Sequence, residues 1–167
     1  LDEVVLMVAN EPWQKVGDRD VTPAAVRFEM TSALAEENIG ITAGDQEIRR
    51  GGPTFTVETL EEILADQPGT EIFLIMGADS AARINTWHRA LDLVRLSTIV
   101  IVNRDNSTST VPEFLQDSRV QHVTMKPVDV SSSDIRENIA CGESIEGFIS
   151  ATVAAVIHEH GLYVGKR

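Results

Sequence analysis

Three uninterrupted apolar runs rich in β-branched residues, Val4-Val5-Leu6-Met7-Val8, Ile72-Phe73-Leu74-Ile75-Met76 and Thr98-Ile99-Val100-Ile101-Val102, most constrain what this chain can fold into. Runs without polar alternation suit strands buried on both faces. Weaker strand signals lie at 41–48 and 120–125. Helical patterns fill the gaps. Thr22-Pro23 reads as a cap followed by proline at the first helical position, leading through Val26, Met30 and Leu34, and Thr56 precedes a second pattern over Val57, Leu60, Ile63 and Leu64. Further helices are predicted over 132–140 and 147–160, the last closed by Gly161. Strands alternating with helices predict an α/β fold, a parallel sheet with helices on both faces. In such sheets ligands sit at the carboxyl ends of the strands, so the segments after each strand are where function is sought.

With 167 residues, 43% of them hydrophobic, the chain suits one globular domain over 1–167. Its formal charge of −12 argues against nucleic acid or an acidic membrane as a partner, because the basic footprint is missing. An anionic ligand would be held locally, by single Arg or Lys side chains, a helix N-terminus or a bound divalent cation. Cys141 is the only cysteine, which excludes an internal disulfide and a thiolate metal cluster and fits a cytoplasmic protein. No apolar run has membrane-spanning length, and the first residues do not read as a signal peptide. His88, His122, His158 and His160 lack the spacing of a metal set, so no protein-built metal site is expected. Phosphate-loop and nucleophile-elbow motifs are both missing.

The segments after the strands are polar: Asn10 to Lys15, Gly77 to Ser80, Arg104 to Asn106, and the run Val130-Ser131-Ser132-Ser133-Asp134-Ile135-Arg136. The last reads as a phosphate grip. Ser131, Ser132 and Ser133 offer hydroxyls and backbone N–H groups at a helix start, the helix dipole adds positive potential, and Arg136 can fork onto phosphate oxygens. The same residues also read as an ordinary capping box, with Ser131 as cap and Asp134 three residues on. Gly77 permits close backbone approach, while Asp79 can accept from a sugar hydroxyl or serve as a plain cap. Trp87 offers a face for stacking a flat ring, or is a core tryptophan. The stretch from Gly51 to Thr56 is a turn feeding a helix, Lys15 can be a solvated charge, and Arg104 can be a surface ion-pair partner of Asp105.

Taken in order, Leu1 to Val5, Pro12-Trp13-Gln14-Lys15, Arg49-Arg50-Gly51-Gly52-Pro53-Thr54-Phe55-Thr56, Gly77-Ala78-Asp79, Thr86-Trp87, Val130 to Arg136 and Gly161-Leu162-Tyr163 resemble bacterial nicotinate-nucleotide adenylyltransferases across essentially the whole chain. The resemblance implies a Rossmann-like nucleotidyltransferase fold and transfer of the adenylyl group of ATP to nicotinate mononucleotide, giving nicotinate adenine dinucleotide and pyrophosphate. It implies Mg²⁺ with ATP as co-substrate, and catalysis by positioning and charge stabilisation. On that analogy Gly77, Asp79, Arg104, Ser131, Ser132, Ser133 and Arg136 face ATP. Asn10, Lys15, Thr56, Thr86 and Trp87 face the mononucleotide, with Trp87 stacked on the pyridine ring.

Two departures accompany the resemblance. Asp105 and Asn106 stand where the family has Pro-Gly after the arginine. The family's Gly-Gly-Thr-Phe-Asp-Pro-x-His-x-Gly-His segment, whose two histidines neutralise the ATP phosphates, is not in this sequence, so no catalytic side chain is assigned. With no initiator Met and Leu1 matching the family's second strand, the expectation is a domain without its first, central strand, poorly stable and nearly inactive alone. The alternatives are a non-catalytic nucleotide-binding remnant of the same fold, or an adenylyltransferase for nicotinamide mononucleotide or a pantetheine phosphate. Self-association into a homo-oligomer is left open.

Overall fold

All strand pairing is parallel, as the alternation of strands and helices requires. The computed structural model describes residues 1–12, 21–103, 111–116, 119–128 and 130–165. The chain divides into two compact units, Leu1–Thr54 with Asp129–Arg167, and Phe55–Val128.

In the first unit β1 (Val4–Met7) pairs with β2 (Ile41–Gly44), Val4 opposite Ile41 and Met7 opposite Gly44. Helix α1 (Ala24–Glu36) joins the two strands and packs against α8 (Ala151–Glu159). Val8, Ala35, Val156 and Ile157 are the apolar side chains buried here. The strand predicted over 41–48 is half strand: at Asp45 the chain turns into a short helix, α2 (Gln46–Arg50), where Gln, Glu and Arg favour helix over sheet. Helix α7 (Ser132–Cys141) stands close to its expected bounds and ends on Gly142 at φ 73°, where a Cβ would be strained. The final helix begins at Ala151 rather than near Gly147, because Gly147 takes φ 82° and Ser150 supplies the cap by accepting from the Val153 N–H.

The second unit is a three-stranded sheet in the order β3 (Phe73–Gly77), β4 (Thr98–Asn103), β5 (Val120–Thr124). Helix α3 (Thr56–Asp66) precedes β3, and between the strands lie α4 (Ala78–Ala81), α5 (Ala90–Leu96) and α6 (Glu113–Gln116). Val57 and Leu60 of α3, Ala81 of α4, Leu93 of α5 and Leu115 of α6 pack with Met76, Ile99 and Ile101 into one core. Register puts Met76 beside Ile101, so this core lies on a single face of the sheet. On the opposite face Ile75 remains 47% exposed, and in the first unit Val5 of β1 remains 44% exposed. Burial on both faces, expected of these runs, is therefore not met: Ile99 and Ile101 share the buried face, while Ile75 in this unit and Val5 in the first stay exposed.

Candidate functional site

The serine run in the first unit forms the capping box that its spacing allows. The Asp134 N–H donates to Ser131 Oγ at 3.1 Å, and the Ser131 N–H donates to Asp134 Oδ2 at 3.3 Å. One hydroxyl lone pair and one N–H that the sequence offered to phosphate are thus engaged within the helix, while Ser132 and Ser133 stay exposed. Arg136, one turn in, is half-buried and donates from Nη2 to Ser133 Oγ at 3.2 Å, so its guanidinium lies beside the helix start. The guanidinium also lies over the Tyr163 ring, its carbon 5.9 Å from the ring centre.

Asn10 follows β1, and both its backbone and its side chain are tied down. Its N–H donates to Thr54 Oγ1 at 2.9 Å and its Nδ2 donates to the Gly52 carbonyl at 3.0 Å, while the Thr54 N–H donates to the Glu11 carbonyl at 3.1 Å. The segments 10–11 and 52–54 are therefore zipped together, leaving the Asn10 side-chain oxygen and its second Nδ2 hydrogen without a partner among the described residues. From α1, Arg27 grips the same loop. Its Nη1 donates to the Ala9 carbonyl at 2.6 Å, its Nη2 to the Asn10 carbonyl at 2.8 Å and its Nε to the Thr22 carbonyl at 2.8 Å. Burial lowers the Arg27 pKa somewhat, and the nearby Tyr163 opposes that shift. The signal for Arg27 is a single arginine between Val26 and Phe28 in the apolar stretch of α1, a position the helical pattern alone leaves without a role.

Thr22 does not cap α1. Pro23 occupies the cap position with no side-chain hydrogen bond, and the Thr22 hydroxyl instead bonds the Tyr163 hydroxyl at 2.9 Å. Proline's fixed φ starts the helix without help from the preceding side chain.

In the second unit Gly77 ends β3 and caps α4, which places Asp79 inside the first turn rather than at the cap. Asp79 is exposed and has no hydrogen-bond partner among the described residues. Thr56 is the first residue of α3, with Phe55 at the cap. Thr86 closes a short 3₁₀ turn, Ile84–Thr86, and donates its hydroxyl to the Arg83 carbonyl at 2.8 Å. Trp87 then turns extended. One part of its ring packs on the core, and the residue also borders a cavity of about 550 Å³ with Asn85, Arg89, Leu91, Arg95 and Phe114. Trp87 is thus half-buried, packed on the core and beside this cavity. Arg89 on that rim forks onto Glu61 at 2.6 and 3.0 Å and reaches Asp92 at 2.8 Å. These hydrogen bonds, that to Glu61 first, raise its pKa, and it stays charged.

Lys15 and Arg104, and with them Trp13, Asp105 and Asn106, lie outside the described residues. Among the described residues no group of three or more His, Cys, Asp or Glu side chains is arranged to hold a metal ion. His160 pairs with Glu29 at 2.8 Å instead. No helix among the described residues is long and apolar enough to cross a membrane.

Comparison with known proteins gives one consistent answer. The cytidylyltransferase-like family matches residues 1–138. A probable nicotinate-nucleotide adenylyltransferase of Dehalococcoides mccartyi (strain 195) is 35% identical over 170 residues, covering 98% of this chain and 83% of the relative. The protein of the same name from Streptomyces coelicolor is 35% identical, covering 99% and 87%. Among solved structures, Plasmodium falciparum nicotinic acid mononucleotide adenylyltransferase complexed with NaAD superposes with a TM-score of 0.75 at 18% identity, over 98% of this chain and 83% of that one. The same enzyme complexed with APC gives a TM-score of 0.72. The structural likeness establishes the Rossmann-like nucleotidyltransferase fold, and the sequence relationship establishes the lineage: the chain belongs to the nicotinate-nucleotide adenylyltransferase family.

Proposed function

We propose that this chain, acting as one nucleotidyltransferase domain over 1–167, transfers the adenylyl group of ATP to nicotinate mononucleotide and releases pyrophosphate. The observation that carries the reading is 35% identity to enzymes of that name across 98% of the chain. In the reaction a phosphate oxygen of the mononucleotide attacks the α-phosphorus of ATP, a new P–O bond forms, and the bond to the pyrophosphate leaving group breaks. No side chain enters the covalent chemistry, so the protein's contribution is orientation and charge.

The residues divide by ligand. Ser131, Ser132, Ser133 and Arg136, with Arg104, hold the ATP phosphates, and Gly77 and Asp79 take the adenylate ribose. A carboxylate without a hydrogen-bond partner among the described residues, as at Asp79, suits sugar hydroxyl donors. Trp87 stacks on the nicotinate ring through its open face, Thr56 and the backbone at Thr86 and Trp87 recognise the ring carboxylate, and Asn10 and Lys15 lie toward the mononucleotide. When bound with ATP, Mg²⁺ would supply charge neutralisation for the triphosphate. The setting is cytoplasmic, in keeping with a single free cysteine.

Calorimetric titration tests the acceptor. Nicotinate mononucleotide is expected to bind at least about tenfold more tightly than the amide, the scale of one charge-assisted hydrogen bond. Equal affinities would remove the nicotinate assignment. The alternative reading is a module of the same fold that binds both ligands without transferring anything. Binding of both with no dinucleotide formed is its signature.

A further inference from the structure

Resting on the reading just given for Arg136 and Asn10, we infer that Tyr163 is a positioning residue that sets both the arginine facing ATP phosphate and the loop facing the mononucleotide. Its location follows from the end of α8. The Leu162 N–H reaches back to the Ile157 carbonyl at 2.9 Å and the Gly161 N–H to the His158 carbonyl at 3.1 Å, with Gly161 at φ 56°, the paired bonds of a left-handed helix stop. The chain doubles back there and delivers Tyr163 against α7 and α1. Tyr163 itself sits at φ 61°, a conformation that an aromatic residue seldom adopts and that persists only where surrounding contacts over-determine it.

The contacts that over-determine it run to both ligand sides. The ring lies under the Arg136 guanidinium, which also donates to Ser133 Oγ. The hydroxyl bonds Thr22 Oγ1 at 2.9 Å, a hydroxyl that capping leaves unused. The Thr22 carbonyl then receives Arg27 Nε, and the two remaining arms of Arg27 hold the Ala9 and Asn10 carbonyls. One side chain therefore bears on Arg136 by its face and on the loop after β1 by its hydroxyl.

These two halves are separable. Tyr163→Phe keeps the face and removes the hydroxyl; Thr22→Val removes the same hydrogen bond from the other end; Tyr163→Leu removes face and hydroxyl. Dissociation constants for MgATP and for nicotinate mononucleotide, measured by calorimetry beside a thermal melt, read the outcome. Tyr163→Phe and Thr22→Val are expected to weaken mononucleotide binding about threefold to tenfold and to leave MgATP within about twofold. Tyr163→Leu is expected to weaken MgATP about threefold or more as well, the scale of a lost cation–π contact. The inference is overturned if folded Tyr163→Phe and Thr22→Val bind both ligands like the parent, or if both affinities fall together in step with Tm, which is what a merely structural tyrosine would give. Should Tyr163→Leu fail to fold, the two hydroxyl variants decide. If the parent chain binds neither ligand, the proposed function has failed, and this inference falls with it.

Discussion

Arg27 gives all three of its directed contacts to backbone carbonyls, so removing it leaves three acceptors in a half-buried setting with no donor. Arg27→Met is expected to destabilise the fold by about 2–3 kcal/mol, the cost of unsatisfied, partly buried carbonyls after water recovers some of them. Arg27→Lys, which keeps a charge but cannot span three acceptors, should recover less than half of that in a denaturant melt. Trp87 makes the contrasting case. Its contact with the core and its open face predict two effects for Trp87→Ala: a modest fall in Tm, and a mononucleotide affinity reduced about tenfold, from the roughly 1–3 kcal/mol that base stacking contributes. MgATP affinity should hold. At this scale the sequence is readable where chemistry is local: the Ser131–Asp134 capping box follows from residue type and spacing. The role of Arg27 does not, because its acceptors are the carbonyls of residues 9, 10 and 22, and no side-chain pattern records where a carbonyl points.

Helix ends are the elements most open to test. At Gly142 an added Cβ meets no atom within 4 Å, so any cost of Gly142→Ala is the cost of φ 73° alone, about 1 kcal/mol. Gly142→Asn, which tolerates that conformation better, should recover much of it. Gly44 is the opposite case: its φ is ordinary, and an added Cβ would stand 2.7 Å from Met7 Cε and 2.9 Å from Val5 Cγ1. Met7 can swing away, but the Val5 methyl is fixed to a strand, so Gly44→Ala is expected to cost about 1–3 kcal/mol by crowding the β1–β2 pair. At the start of α7, Ser131→Ala should cost about 1 kcal/mol by breaking the capping box. Chemical melts of the four variants check these values together. Helix α7 could be read from the sequence because its Ser131 cap and Gly142 stop bracket it, whereas α3 was legible from its periodicity alone, since Phe55 and not Thr56 holds its cap position. The β2–α2 switch at Asp45 could not, since Ile41 to Ile48 carries apolar residues at spacings that suit either structure. The cap of α1 was misplaced by one residue because proline starts a helix whether or not a threonine precedes it.

For the whole molecule, alternating strands and helices were enough to give parallel pairing throughout, and both compact units obey it. Which strands pair was not legible, because register and sheet order depend on contacts far apart in sequence. A chain of charge −12 that handles two phosphate-bearing substrates also requires its cationic groups to be few and placed, which matches an Arg136 held by Ser133 and Tyr163 rather than a basic surface. The same economy makes the reaction a matter of orientation, and orientation can be assayed by its product. The most direct measurement is to incubate the chain with MgATP and nicotinate mononucleotide and to separate the products. Nicotinate adenine dinucleotide and pyrophosphate should appear in equal amounts, above the protein-free background. Both substrates bound and no dinucleotide formed would contradict the account and leave a binding module in place of an enzyme.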